Sequence, residues 1–148
     1  MHAHPIMVLE SLLAAAGSRH QSHSSANLSS HLRGTYEILS RWGQPEPVCL
    51  AGLFHSIYGT VGFPVPSIDR GRSRTFLRDL IGVEAEALVF EFSRLGPAFF
   101  QELRDYVTHG RGSDAVIRFS PQNLKKLCHL VAANWLEQFS RQAFEKQT

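Results

Sequence analysis

The chain lacks several things that would narrow its class quickly. No apolar run among its 148 residues approaches the roughly 20 residues needed to span a bilayer, so no helical membrane partner is expected. No charged-then-apolar leader is evident, because the apolar segment 6–16 is short and interrupted by Glu10. Only two cysteines occur, Cys49 and Cys128. Both fall in apolar helical patterns, which favours buried free thiols over a bridge, and no CxxC or Cys/His zinc spacing is present. A cytoplasmic, reducing setting is expected. Lysine is scarce too, with three lysines against twelve arginines. The formal net charge of +2 is too small to suggest nucleic acid. Arginine binds planar oxyanions well, so a small polar or anionic ligand stays open beside ordinary surface use of arginine.

The 43% hydrophobic and 19% charged residues describe an ordinary globular chain, long enough to bury a core without disulfides. The 3.6-residue period dominates. A first helix is predicted over residues 5–16, with Pro5 in its first turn and Gly17 ending it. The polar stretch 18–25, with His20 and His23, reads as a loop. Asn27 then caps a helix over 28–42, in which Leu28, Leu32, Thr35 or Tyr36, and Leu39 recur at helical spacing and Gly43 ends the run. Pro45 and Pro47 open a third helix, 46–57. Residues 59–72, with three glycines and two prolines, read as a loop. Further helices are predicted over 73–81, 83–95 and 97–107, with Gly82 and Gly96 between them. Residues 110–120 form a connector or carry an isolated strand at 115–119, and Ser120-Pro121 starts a last helix to 144. There are no repeats. The expected architecture is a single all-α domain over 1–148, a compact orthogonal bundle of six to seven helices. It has an N-terminal helix and polar loop (1–27) and a core (28–144).

Histidines mark the candidate site. His31 shares a helix face with Leu28 and Thr35, so it faces the core. His55 lies at the end of an apolar helix, in Ala51-Gly52-Leu53-Phe54-His55-Ser56. That segment resembles the Ala-x-Leu-Leu-His-Asp step of the HD phosphohydrolase superfamily, in particular the hydrolase domains of the RelA/SpoT type. His31-Leu32 ahead of Thr35-Tyr36-Glu37-Ile38-Leu39 is similar to the helix those domains open with His-Pro. Ile81-Gly82-Val83-Glu84-Ala85-Glu86-Ala87-Leu88-Val89 resembles their Phe-Gly…Leu-Val segment, and Val131-Ala132-Ala133-Asn134-Trp135-Leu136-Glu137-Gln138 their late Leu-Ala-Asp-x-Leu-x-Asn. Trp42 to Thr60 also resembles a group of small proteins of unassigned function that carry Trp-Gly-x-Pro and Leu-Phe-His-Ser-x-Tyr-Gly-Thr. The resemblance spans about residues 28–138. It implies an HD-domain-like fold and, in the family, removal of pyrophosphate from guanosine alarmones with manganese.

Where the pattern has metal-binding aspartates, this chain has Ser56 and Asn134, and near the acidic pair that positions water it has Tyr58-Gly59. A hard divalent cation wants carboxylate oxygens, so two imidazoles with Ser and Asn oxygens would hold it weakly. If a transition metal binds, His31 and His55 are its ligands and a third must be found. The cofactor is otherwise unknown. Ser56 is either a nucleophile beside a histidine base or a hydrogen-bonding cap. Tyr58 either gives a proton to a ligand or closes the helix end. Asn134 and Gln138, one turn apart, either read a ligand's polar edge or tie helices together. Arg70, Arg74 and Arg78 keep a four-residue spacing that suits phosphate or a solvated face. The expected function is a small-molecule-binding HD-like domain with a neutral pocket and lost hydrolase machinery. Three alternatives stay open: acid–base chemistry by His31, His55 and Tyr58; a His-based metal hydrolase or diiron oxygenase; and a homodimerisation module using Phe99, Phe100 and Trp135.

Overall fold

The computed structural model describes residues 4–17, 22–58, 70–110 and 119–146. Among them run seven α-helices and no strand: α1 (Pro5–Gly17), α2 (Ser22–Arg41), α3 (Glu46–Phe54), α4 (Arg70–Ile81), α5 (Val83–Ser93), α6 (Pro97–His109) and α7 (Pro121–Glu145). The all-α class and the helix number agree with the periodicity. Proline sits in the first turn of α3 and of α6, where a missing N–H costs nothing. At α7 the Ser120 hydroxyl accepts the Asn123 backbone N–H at 3.2 Å, the predicted N-cap.

Three boundaries differ from expectation. The second helix starts at Ser22, so Asn27 lies inside it rather than at its N-terminus. Residues 22–27 contain no Gly or Pro, and nothing in them stops a helix from extending backwards. The third helix ends at Phe54. A tight turn follows, in which the Ile57 N–H bonds the Phe54 carbonyl at 3.0 Å. The fourth begins at Arg70 rather than 73, because Gly71 falls in a first turn whose hydrogen bonding is incomplete in any helix. The rest of the predicted 59–72 loop, the 111–118 connector and His20 lie outside the described residues.

The central element is α2, which packs on α1, α3 and α7; α3 also meets α5 and α7, and α4 lies along α5. The core is built from Leu32 and Leu39 of α2, Val48, Leu53 and Phe54 of α3, Leu77 of α4, Leu88 and Val89 of α5, and Leu127 and Leu130 of α7. Each such side chain contributes roughly 1.5–3 kcal/mol by leaving water. A second cluster joins α6 to α7 through Phe99 and Leu124. Phe99 is buried there against Phe100 and Phe119, which takes it out of the predicted interface set; Phe100 stacks on the half-exposed Trp135 at 5.1 Å. Cys49 and Cys128 are both free thiols, as expected, but only Cys49 is buried, and Cys128 is partly exposed. No helix among the described residues is long and apolar enough to cross a membrane.

The α2–α3 contact depends on Gly52. A Cβ there would lie 2.5 Å from Leu39 Cδ1 and 3.3 Å from Thr35 Cγ2. Gly52→Val should therefore lose roughly 1–3 kcal/mol of stability through overpacking, despite a small gain in helix propensity. An unchanged or raised urea midpoint would show that the two helices separate freely here.

Candidate functional site

His31 enters the site from the middle of α2, on the face that carries Leu32, Thr35 and Leu39 inward. The Thr35 hydroxyl bonds back to the His31 carbonyl at 2.9 Å, so it spends its polarity locally. His55 is delivered by the end of α3 into the turn, and Ser56 follows it into the interior. The two imidazoles meet edge to face with centroids 5.2 Å apart, and Phe92 of α5 closes the far side of His55 at 5.0 Å. The structure thus joins the two histidines the sequence singled out.

Asn134 joins them from α7, its Oδ1 lying 2.8 Å from His31 Nε2. Since an amide's ends interchange by a half-turn, either its oxygen or its nitrogen can serve that contact. The other nitrogen of His31 is taken by a residue that sequence reasoning missed. Glu137 Oε2 lies 2.5 Å from Nδ1, and both side chains are about nine-tenths buried. A carboxylate only accepts, so Nδ1 carries the proton. Glu137 is held in turn by Arg141 one helical turn on, with Nε at 3.1 Å and a second, shorter bond from Nη2. The expected neutral site therefore contains a carboxylate.

Glycine makes room for it. A Cβ on Gly34 would stand 2.7 Å from Glu137 Cγ, so only a glycine in α2 lets that side chain pass toward His31. The signal for Glu137 was present in the sequence. Leu127 and Leu130 define the inward stripe of α7, and steps of four and three residues from Leu130 reach Asn134 and Glu137. The same phase puts Gln138 on the solvent side, where it is exposed. Its predicted place in the site is corrected accordingly.

The manganese implied by the HD resemblance does not suit this donor set. Both His31 nitrogens are engaged by protein groups, and the positions of the family's aspartates offer a serine hydroxyl and an amide. Among the described residues, no three His, Cys, Asp or Glu side chains gather closely enough to hold a metal ion.

His55 is in a different electrostatic state from an exposed histidine. Its Nδ1–H donates to the Gly52 carbonyl at 2.7 Å. Burial lowers its pKa from 6.5 to about 4, against the opposing pull of that carbonyl. The folded state thus takes up the proton later than the unfolded chain as pH falls. Stability is complete above pH 6.5 and declines as pH falls from there through about 4. The slope of one proton over that window amounts to about 3 kcal/mol. Urea titrations between pH 7 and 4 should show this decline, and His55→Gln should flatten it. An equal slope in the variant would mean that other groups carry the acid sensitivity.

Tyr58, Arg74 and Arg78 form a separate cluster around Glu86 of α5, which is completely buried. Arg74 of α4 grips its carboxylate with Nε at 2.6 Å and Nη2 at 3.2 Å, and Arg78 adds Nε at 3.2 Å. Tyr58 donates its hydroxyl to Oε1 at 2.8 Å. Arg74 also lies over the Phe90 ring, 3.7 Å from its centroid. Burial and the Glu86 carboxylate push the Tyr58 phenol well above its usual range, so Tyr58 is a poor proton donor to a ligand. Arg74 is committed to Glu86, which corrects its phosphate-binding and solvated-face expectations; Arg78 bonds Glu86 too, but its side chain stays exposed, as a solvated face would have it. Arg70 begins α4, and its side chain lies outside those described. Arg33 of α2 is exposed and pairs with Glu10 of α1 at 3.0 Å.

No curated protein and no solved structure matches the chain. A domain of unknown function (DUF6817) matches residues 12–96. That segment contains His31, His55, Ser56, Tyr58, Arg74 and Glu86, while Asn134 and Glu137 come from α7, beyond it. With more than half of its length matched, the chain belongs to the DUF6817 family.

Proposed function

We propose that the chain is an HD-like helical domain that binds a small polar or anionic molecule beside the His31–His55 pair in the cytoplasm, and that the metal-dependent hydrolase chemistry of that superfamily has been lost. The observation that carries this is the meeting of His31, His55 and Asn134 from three helices, in the order the HD resemblance implies, with the His31 ring fixed at both nitrogens. A group held that rigidly between elements far apart in sequence suits recognition, because its orientation is settled before a ligand arrives. Ser56 and Asn134 offer a hard cation no charge, and the carboxylate beside them, Glu137, is taken by His31 and Arg141.

One feature favours a second reading, acid–base chemistry. The Glu137–His31 contact is the carboxylate–imidazole arrangement that orients a histidine base, with Glu137 as the positioning residue. Tyr58 has no part in that version, since its hydroxyl is engaged by Glu86.

Thermal-shift screening of small polar metabolites tests the binding role. A true ligand at a hundredfold excess over its Kd should raise Tm by about 5–10 °C. The response should disappear in a His31→Gln/His55→Gln double variant whose circular dichroism remains helical. Equal shifts in wild type and folded variant would place the ligand elsewhere and end this assignment.

A further inference from the structure

Between α2 and α7 lies an open groove of about 660 Å³. Gly34 and the apolar side chains of Ile38 from α2 and Leu136 from α7 are among its lining. Four charged side chains line it: Glu37 and Arg41 from α2, Glu137 and Arg141 from α7. The α7 pair neutralises itself, because Arg141 holds Glu137 and Glu137 holds His31. The α2 pair is different. Glu37 and Arg41 are both exposed, one helical turn apart, and neither has an ion-pair or hydrogen-bond partner among the described residues.

We propose that this groove binds a small zwitterion with an apolar body, a free α-amino acid or dipeptide with aliphatic side chains. Its carboxylate sits on Arg41, its ammonium on Glu37, and its aliphatic part between Ile38 and Leu136. Charge balance selects this class. A simple anion drawn to Arg41 is repelled by Glu37 one turn away, and a simple cation by Arg41, whereas a ligand carrying both charges satisfies both. The groove, open to solvent, has room for a dipeptide as well as for a single amino acid. This site goes beyond the histidine pair: its recognition groups are Glu37 and Arg41, so it stands or falls separately.

The test is isothermal titration calorimetry of the full chain with leucine, leucyl-leucine, N-acetyl-leucine and leucinamide. Saturable binding is expected for the two zwitterions, tighter for the dipeptide and weaker at high salt. Removing either charge from the ligand, or substituting Arg41→Ala or Glu37→Gln, should weaken binding about tenfold, as the loss of one charge-assisted hydrogen bond does. Arg104→Ala, on the exposed face of α6, should change nothing. Both groove substitutions fall on exposed side chains, so the fold is retained. Absence of saturable binding for both zwitterions overturns the proposal, as does binding that is indifferent to the capped ligands or to both groove variants. Binding kept in Arg41→Ala and Glu37→Gln but lost in His31→Gln also overturns it, while leaving the histidine site as the ligand's place.

Discussion

Glu137→Ala should lower the free energy of unfolding by roughly 3–5 kcal/mol, the range found when one partner of a buried ion pair is removed. Three losses combine. His31 Nδ1–H is left without an acceptor in a site that is nine-tenths buried, Arg141 loses the carboxylate it grips, and the missing carbons open a gap against Gly34. For a domain whose total stability is about 5–15 kcal/mol, that is a large fraction. Glu137→Gln should cost less, because it preserves the volume and keeps one oxygen for either His31 or Arg141. Arg141→Ala should cost least, since that guanidinium is 30% exposed and Glu137 keeps its bond to His31. Urea unfolding of the three variants gives the ranking. A loss below about 1 kcal/mol in Glu137→Ala, the size of an exposed pair, would mean that the His31–Glu137 contact is open in solution. The same variant separates scaffold from site. If ligand-induced stabilisation persists once Glu137 is gone, His31 needs no orienting partner to bind.

The helices were legible because apolar periodicity and proline punctuation are local properties. His31 could be placed inward from Leu28 and Thr35 alone, and His55 from the apolar run before it. Charge partners were harder to see. An arginine run such as Arg70-Arg74-Arg78 has the same spacing whether it faces water or a carboxylate, and Glu86, the acceptor for Arg74 and Arg78, belongs to the following helix. Glu137 was obscured because Asn134 and Gln138 also stand one turn apart, whereas the helix phase set by Leu127 and Leu130 selects Asn134 and Glu137. The helix-to-helix fit at Gly34 and Gly52 was also invisible. A glycine inside a helix looks like a weakness until the side chain that fills its space, Glu137 or Leu39, is known.

Glu86→Ala should be comparably severe, about 3–5 kcal/mol, for a carboxylate that is fully buried and bonded by three side chains. The contributions of those three partners can be ranked. Arg74 supplies two bonds and its stacking on Phe90, so Arg74→Ala should cost more than Tyr58→Phe, which deletes one hydroxyl worth about 1–2 kcal/mol. Arg78→Ala should cost least, since its side chain is 42% exposed. Burial alone would raise the Glu86 carboxyl, but hydrogen bonds from Arg74, Tyr58 and Arg78 outweigh it and bring its pKa below the ordinary 4.5. The unfolded chain therefore takes up this proton first, and the stabilisation is complete above pH 4.5 and lost as pH falls through the lower folded value. That window opens at pH 4.5, where the one set by His55, which runs from pH 6.5 to about 4, is already closing. Acid unfolding should accordingly proceed in two separable stretches. Glu86→Gln should remove only the lower stretch and His55→Gln only the upper. If Glu86→Gln instead flattens the profile between pH 6.5 and 5, the carboxylate titrates far above its ordinary value, and the arginine grip on it is absent in solution.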